Sequence, residues 1–158
     1  VNTVTDTKID MAKIVDPNLI TLSLKGRTKE EVIDELSDLL TKNGDVIDKK
    51  GFMDDVFKRE KEGETGIGQG VAIPHGKSKA VRNTTIAIGL SNYPISWETL
   101  DNKPVTAVIL FAVRDQDANT LHLKLLQQVA ILLSDNAFIE KLHNAKTKEK
   151  VIELLCGK

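Results

Sequence analysis

The segment Val105-Thr-Ala-Val-Ile-Leu-Phe-Ala-Val113 carries one hydroxyl and no charge, and it narrows the possible folds more than any other stretch. A strand with one wet face alternates polar and apolar residues, whereas a strand that is apolar at nearly every position needs cover on both faces. It therefore predicts a central strand with a helical layer on each side of its sheet.

The flanking sequence supplies those layers. Leu19-Ile-Thr-Leu-Ser-Leu24 puts Ile20, Leu22 and Leu24 on one face of a period-2 pattern, a short strand. Thr28-Lys-Glu-Glu31 is a capping box, and Val32, Ile33, Leu36, Leu39 and Leu40 follow at helical spacing until Asn43-Gly44 stops the helix. A second helix is expected over about 49–61, with Phe52, Met53, Val56 and Phe57 inward and Arg59 near its C-terminal end. Asn83 to Leu90 alternates as a strand does. Beyond the central strand, Asn119-Thr120 is expected to cap a long helix reaching about Leu133. Ser134 or Asn136 starts another containing Phe138, Ile139 and Leu142, and Thr147 begins a last one through Leu155. Strand, two helices, several strands, then three helices spell an α/β fold, a three-layer α/β/α sandwich with a mixed sheet of about four to five strands.

The 158 residues, 41% of them hydrophobic, fit one globular domain, read as residues 14–156 behind an N-terminal tail or linker, 1–13. The opening Val1 to Lys8 has no initiator Met and little apolar pattern, and is taken as a tail, an added remnant or the stub of a longer polypeptide. Lysine and arginine number 22 against 23 acidic residues, so no net field holds the surface to nucleic acid or an anionic membrane; any anion site is local. Cys156 stands alone and is read as structural, which suits a reducing compartment. No apolar stretch approaches the roughly 18 residues of a membrane span, and no secretory signal leads the chain; a cytoplasmic location is expected.

From Glu62 to Gly76 the character changes, with glycines at 63, 66, 68 and 70, an apolar Val71-Ala-Ile73, and then Pro74-His75-Gly76. This is backbone made for close approach. Pro74 stiffens the approach to His75, and Gly76 is expected to leave one side of the imidazole unobstructed, presented from a turn. A neutral imidazole there can attack phosphorus through its free ring nitrogen; a turn histidine satisfied by a backbone carbonyl is the plainer alternative. His122 falls in the first turn of the long helix, where free N–H groups and the dipole favour an anion. It is either a phosphoryl-stabilising donor brought against His75 or a half-buried helix histidine. His143, among Lys141, Asn144 and Lys146, looks solvent-facing and receives no role. Arg59 can reach a phosphate bidentately, unlike the solvated Lys58 and Lys61 beside it. Lys77, Lys79 and Arg82 are either a surface for an acidic partner or a solvated edge.

Several other chemistries fail on spacing. Gly76-Lys77-Ser78 resembles the end of a nucleotide-binding P-loop, but that motif needs glycine where Val71 stands. A dinucleotide fingerprint over Gly66 and Gly68 would need its third glycine at position 71 and a strand, not a helix, before it. The histidines lack metal-ligand spacing, and Cys156 lacks a reactive-cysteine signature, so no metal or nucleotide cofactor is expected. A hydrolase using His75 and His122 as acid and base has no suitably placed nucleophile.

Thr65-Gly-Ile-Gly-Gln-Gly-Val-Ala-Ile-Pro-His75-Gly-Lys-Ser resembles the active-site stretch of enzyme IIA domains of the phosphoenolpyruvate-dependent sugar phosphotransferase system, fructose and mannitol family. Arg59-Glu60, Leu121-His122-Leu-Lys-Leu-Leu and the apolar run from Val129 to Leu133 join it, so the resemblance covers about residues 14–155. It implies that His75 takes a phosphoryl group from the phosphocarrier HPr, through Nε2, and passes it to a cysteine of enzyme IIB, with no cofactor. His122 and Arg59 would help hold the group, Thr65, Gly66, Gly68 and Gly70 would form the loop that approaches it, and Lys77, Ser78 and Lys79 would lie on the partner surface. The sugar would bind the membrane component, enzyme IIC, so contact with the membrane is indirect. Ser78 and the Leu-His-Leu-Lys-Leu-Leu helix start resemble the fructose type, which implies sugar transport; the nitrogen-related regulatory members share the same glycine-histidine form and are the alternative.

Overall fold

The computed structural model describes residues 9–157. Its centre is the apolar segment, now strand β6 (Val105–Arg114), where every residue from Ala107 to Val113 is 0% exposed. Ala107, Ile109, Phe111 and Val113 face one core, and Val108, Leu110 and Ala112 face the other. Each large side chain buried in this way contributes on the order of 1.5–3 kcal/mol, so a charge at any of these positions would break the sheet.

The sheet has six strands rather than the expected four to five: β1 (Ile20–Thr21), β2 (Gly66–Gly68), β3 (Val71–Ala72), β4 (His75–Ser78), β5 (Thr85–Ile95) and β6. Their order is β1-β5-β6-β3-β2, with β4 also on β6. β5 runs antiparallel to β6, and β3 and β4 run parallel to it. β3 and β4 hold one register along β6, Ala72 opposite Val108 and His75 opposite Phe111. They form a single line along β6 interrupted at Ile73-Pro74, and Pro74, with no N–H to give, still accepts from the Phe111 N–H through its carbonyl at 2.9 Å.

Helices α1 (Lys29–Lys42) and α2 (Lys49–Glu60) cover one face; α3 (Leu121–Leu133), α4 (Asn136–His143) and α5 (Lys148–Cys156) cover the other. Thr28 Oγ1 caps α1 by accepting from Glu31 N at 3.2 Å, but the Glu31 carboxylate reaches Arg27 N at 2.8 Å, so the reciprocal half of the capping box is displaced by one residue. α3 lacks the expected side-chain cap, because Thr120 makes no capping hydrogen bond. α4 is capped by Asp135, which accepts from Ala137 N at 2.9 Å.

The first strand is shorter than its alternation implies. Regular pairing ends at Thr21 and the chain bends, so Ile20 enters one core and Leu24 the other instead of sharing a face. Of the stretch expected to precede the domain, residues 1–8 lie outside the described residues. Met11, placed in that tail by sequence, is instead 4% exposed, and Ile9 packs on the same core. Among the described residues no helix is long and apolar enough to cross a membrane.

Candidate functional site

His75 opens β4, and its pairing with Phe111 decides where the ring goes. Partners across a sheet share a face, so the imidazole lies on the α3 side and stacks on the Phe111 ring, centroids 4.9 Å apart and planes 13° apart. His122, in the first turn of α3, meets it edge-on at 5.3 Å and 79°. The sequence brought these two histidines together only by hypothesis; the fold makes them neighbours.

Two expectations are corrected here. His75 sits in a strand and not a turn, and Phe111 and His122 leave it only 6% exposed instead of open on one side. Gly76 serves packing: a Cβ there would overlap the Phe52 ring and approach Val56 Cγ2 to 2.7 Å, so glycine lets β4 press against α2.

Nδ1 of each ring is buried and has no hydrogen-bond partner. Burial lowers the His75 pKa to about 4, helped by the charge His122 would carry when protonated and by Arg59 and Lys77, and partly offset by the Ile73 carbonyl. Burial also lowers that of His122, with Lys77 adding to it. Both imidazoles are thus uncharged near neutral pH, the state in which a ring nitrogen keeps a nucleophilic lone pair.

Arg59, at the end of α2 in the opposite layer, donates from Nη1 to the Gly63 carbonyl at 3.1 Å while its charge acts on His75. Groups from both helical layers converge because β4 has β6 on one side and, among the described residues, no strand on the other.

The glycine-rich stretch is a hairpin and not an open loop. β2 pairs antiparallel with β3 through a turn in which Gln69 and Gly70 have φ of 56° and 77°. Its residues are held by other partners than His75. Thr65, 2% exposed, donates to Glu60 Oε2 at 2.6 Å and accepts from Trp97 Nε1 at 3.4 Å. A Cβ at Gly66 would strike Thr99, one at Gly68 would lie 3.3 Å from the Asp101 carboxylate, and one at Gly70 would lie 3.0 Å from the His143 ring. Close packing at Gly66 and Gly70, and a left-handed φ at Gly68 and Gly70, are what the structure asks of these glycines. Lys77 and Lys79 are exposed as a partner surface requires, but Ser78 is 3% exposed and its Oγ accepts from Ala80 N at 3.0 Å, which removes it from that surface.

His143, given no role by the sequence, fastens the hairpin. Its Nε2 is 2.8 Å from the Gln69 carbonyl and its Nδ1 is 3.1 Å from Thr106 Oγ1, which fixes Nε2 as the donor and Nδ1 as the acceptor in the neutral ring. The signal was its position four residues after buried Ile139, on the inward face of α4.

A family model described as the phosphoenolpyruvate-dependent sugar phosphotransferase system, EIIA 2, matches residues 13–157. The fructose-specific EIIABC component of this system in Bacillus subtilis is 32% identical over 145 residues, which are 92% of this chain and 23% of that protein; the chain spans under a quarter of that relative's length. The nitrogen regulatory protein IIA-Ntr of Neisseria meningitidis superposes with a TM-score of 0.84 at 30% identity, over 92% of this chain and 98% of its own. Enzyme IIAMTL of Escherichia coli, solved in complex with phosphorylated enzyme IIBMTL, superposes with a TM-score of 0.77 at 26% identity, over 91% and 98%.

Proposed function

The chain belongs to the EIIA 2 family of the phosphoenolpyruvate-dependent sugar phosphotransferase system, and from that premise we propose that it is a phosphoryl carrier whose carrying atom is Nε2 of His75. The observation that supports this most is the contact between two buried imidazoles, with a guanidinium charge acting on the one at the open sheet edge. In the forward step the Nε2 lone pair forms the new N–P bond. The P–N bond in phosphorylated HPr breaks, and its electron pair returns to the donor imidazole. In the onward step a cysteine thiolate of enzyme IIB attacks phosphorus and His75 recovers its pair. Arg59 and His122 offset the negative charge spread over the equatorial oxygens, which is most of what phosphoryl transfer asks of a protein. No cofactor enters either step.

A protein of this kind works in the cytoplasm and touches the membrane only through enzyme IIC. The Bacillus subtilis relative supports fructose uptake as the process served, and the Escherichia coli complex supports enzyme IIB as the acceptor. The likeness to IIA-Ntr favours a second reading, in which phosphorylation of His75 switches binding to a regulatory target.

Incubation with phosphoenolpyruvate, enzyme I, HPr and candidate IIB proteins separates the two. Wild type should take label and pass it to a IIB cysteine. His75→Ala should take none, and His122→Ala should accept but donate poorly. Labelled wild type that discharges to no IIB protein favours the regulatory reading; full labelling of His75→Ala refutes the carrier assignment.

A further inference from the structure

We propose that Lys77 is a further catalytic residue, its ammonium contacting a phosphoryl oxygen carried on His75, and not solely part of the surface that meets a partner. The proposal rests on the carrier reading above.

Residues two apart on a strand share a face and are separated by about 6.6 Å along it. On β4 that pair is His75 and Lys77, the first buried and the second exposed. With no strand outside β4 among the described residues, the Lys77 side chain is free to turn over the sheet edge. There it lines a groove with Asp55, Lys58 and Arg59 of α2 and with Glu62 in the turn that follows. Arg59 and Lys77, two of the cations whose charge acts on His75, thus share one groove beside β4. Asp55 and Glu62 are acidic neighbours in the same groove, yet Lys77 forms no ion pair among the described residues.

An edge lysine can simply guard against strand pairing. Two features argue for more. The Lys77 charge acts on both histidines, which places the ammonium within electrostatic reach of each ring. A cation so placed opposes protonation of the rings, and the same field favours a phosphoryl dianion on one of them. Arg59 is also partly engaged by the Gly63 carbonyl, which leaves charge on the group for another donor to meet.

The titration uses the phosphorylated protein alone, so that partner docking does not enter it, and transfer to and from HPr is measured separately. Wild type, Lys77→Gln, Lys77→Arg and Lys146→Gln are phosphorylated through HPr, freed of it, and titrated by phosphorus NMR. Loss of the cation in Lys77→Gln should raise the apparent pKa of the phosphoryl group and shift the transfer equilibrium back toward HPr by about tenfold, the scale of one charge-assisted hydrogen bond. Lys77→Arg should stay near wild type, and Lys146→Gln, at an exposed lysine beyond α4, should be unchanged. If wild type labels normally and Lys77→Gln titrates like it, with only KM for HPr raised, Lys77 is a docking residue and the proposal is wrong. If wild type takes no phosphate on His75, the carrier reading itself fails.

Discussion

Acidification should weaken this fold earlier than its carboxylates alone would allow, and replacing His75 should remove much of that weakness. In the unfolded chain His75 titrates near 6.5, whereas burial and the neighbouring positive charges hold it at about 4 when folded. Between those values the unfolded state binds a proton that the native state refuses. Stability linked to His75 is therefore complete above 6.5, declines as pH falls, and stops declining at about 4. Each pH unit of that imbalance is about 1.4 kcal/mol, so the window amounts to roughly 3 kcal/mol. That is a large part of the ~5–15 kcal/mol by which domains are stable. His122 shifts in the same direction and steepens the decline. Asp117, lowered chiefly by its bond from Arg114, and Glu98, lowered chiefly by Lys29, lose their contributions only as pH falls through and below the ordinary carboxylate range. Urea denaturation of wild type and His75→Gln in steps from about pH 7.5 to 4 isolates the histidine. The gap between the two profiles should change by roughly 3 kcal/mol across the window. Parallel profiles would refute the assignment of a buried, uncharged His75.

Gly76→Ala should destabilise by about 1–3 kcal/mol in the same assay, because the new methyl overlaps the Phe52 ring; an unchanged midpoint would contradict the close approach of β4 to α2. His143→Ala should cost about 1–3 kcal/mol and speed amide exchange at Thr106, whose N–H bonds the Gly70 carbonyl at 2.9 Å. Unaltered exchange there would mean that the histidine does not hold the hairpin. Thr65→Val should cost about 1–3 kcal/mol by depriving the buried Glu60 carboxylate of a donor. A double-mutant cycle with Glu60→Gln should show coupling, and additive effects would deny the bond.

What the sequence made legible follows from how local each cause is. Val105 to Val113 announced a doubly covered strand because burial on both faces leaves no polar position, and β6 is that strand. The caps at Thr28 and Thr147 are local hydrogen bonds, and both form, whereas Thr120 does not cap α3. The short strands β3 and β4 were hidden in a glycine-rich stretch because their pairing is set by β6, more than 30 residues away, and β2 pairs in turn with β3. For the same reason His75 was read as a turn residue, and Gly76 as a gap beside it when it is a packing contact. His122 and His75 were recognised by type and by resemblance, but their edge-on meeting depends on how α3 lies against the sheet. His143 was passed over because its polar neighbours Lys141, Asn144 and Lys146 outweighed its spacing from Ile139.

The most direct test mixes the chain with phosphorylated HPr and maps the modified residue by mass spectrometry under alkaline conditions that preserve N–P bonds. One phosphoryl group should appear on His75, bonded through Nε2, and none on His75→Gln. Modification at another residue, or none while HPr discharges to a known enzyme IIA, would contradict the claim that this buried imidazole is the carrier.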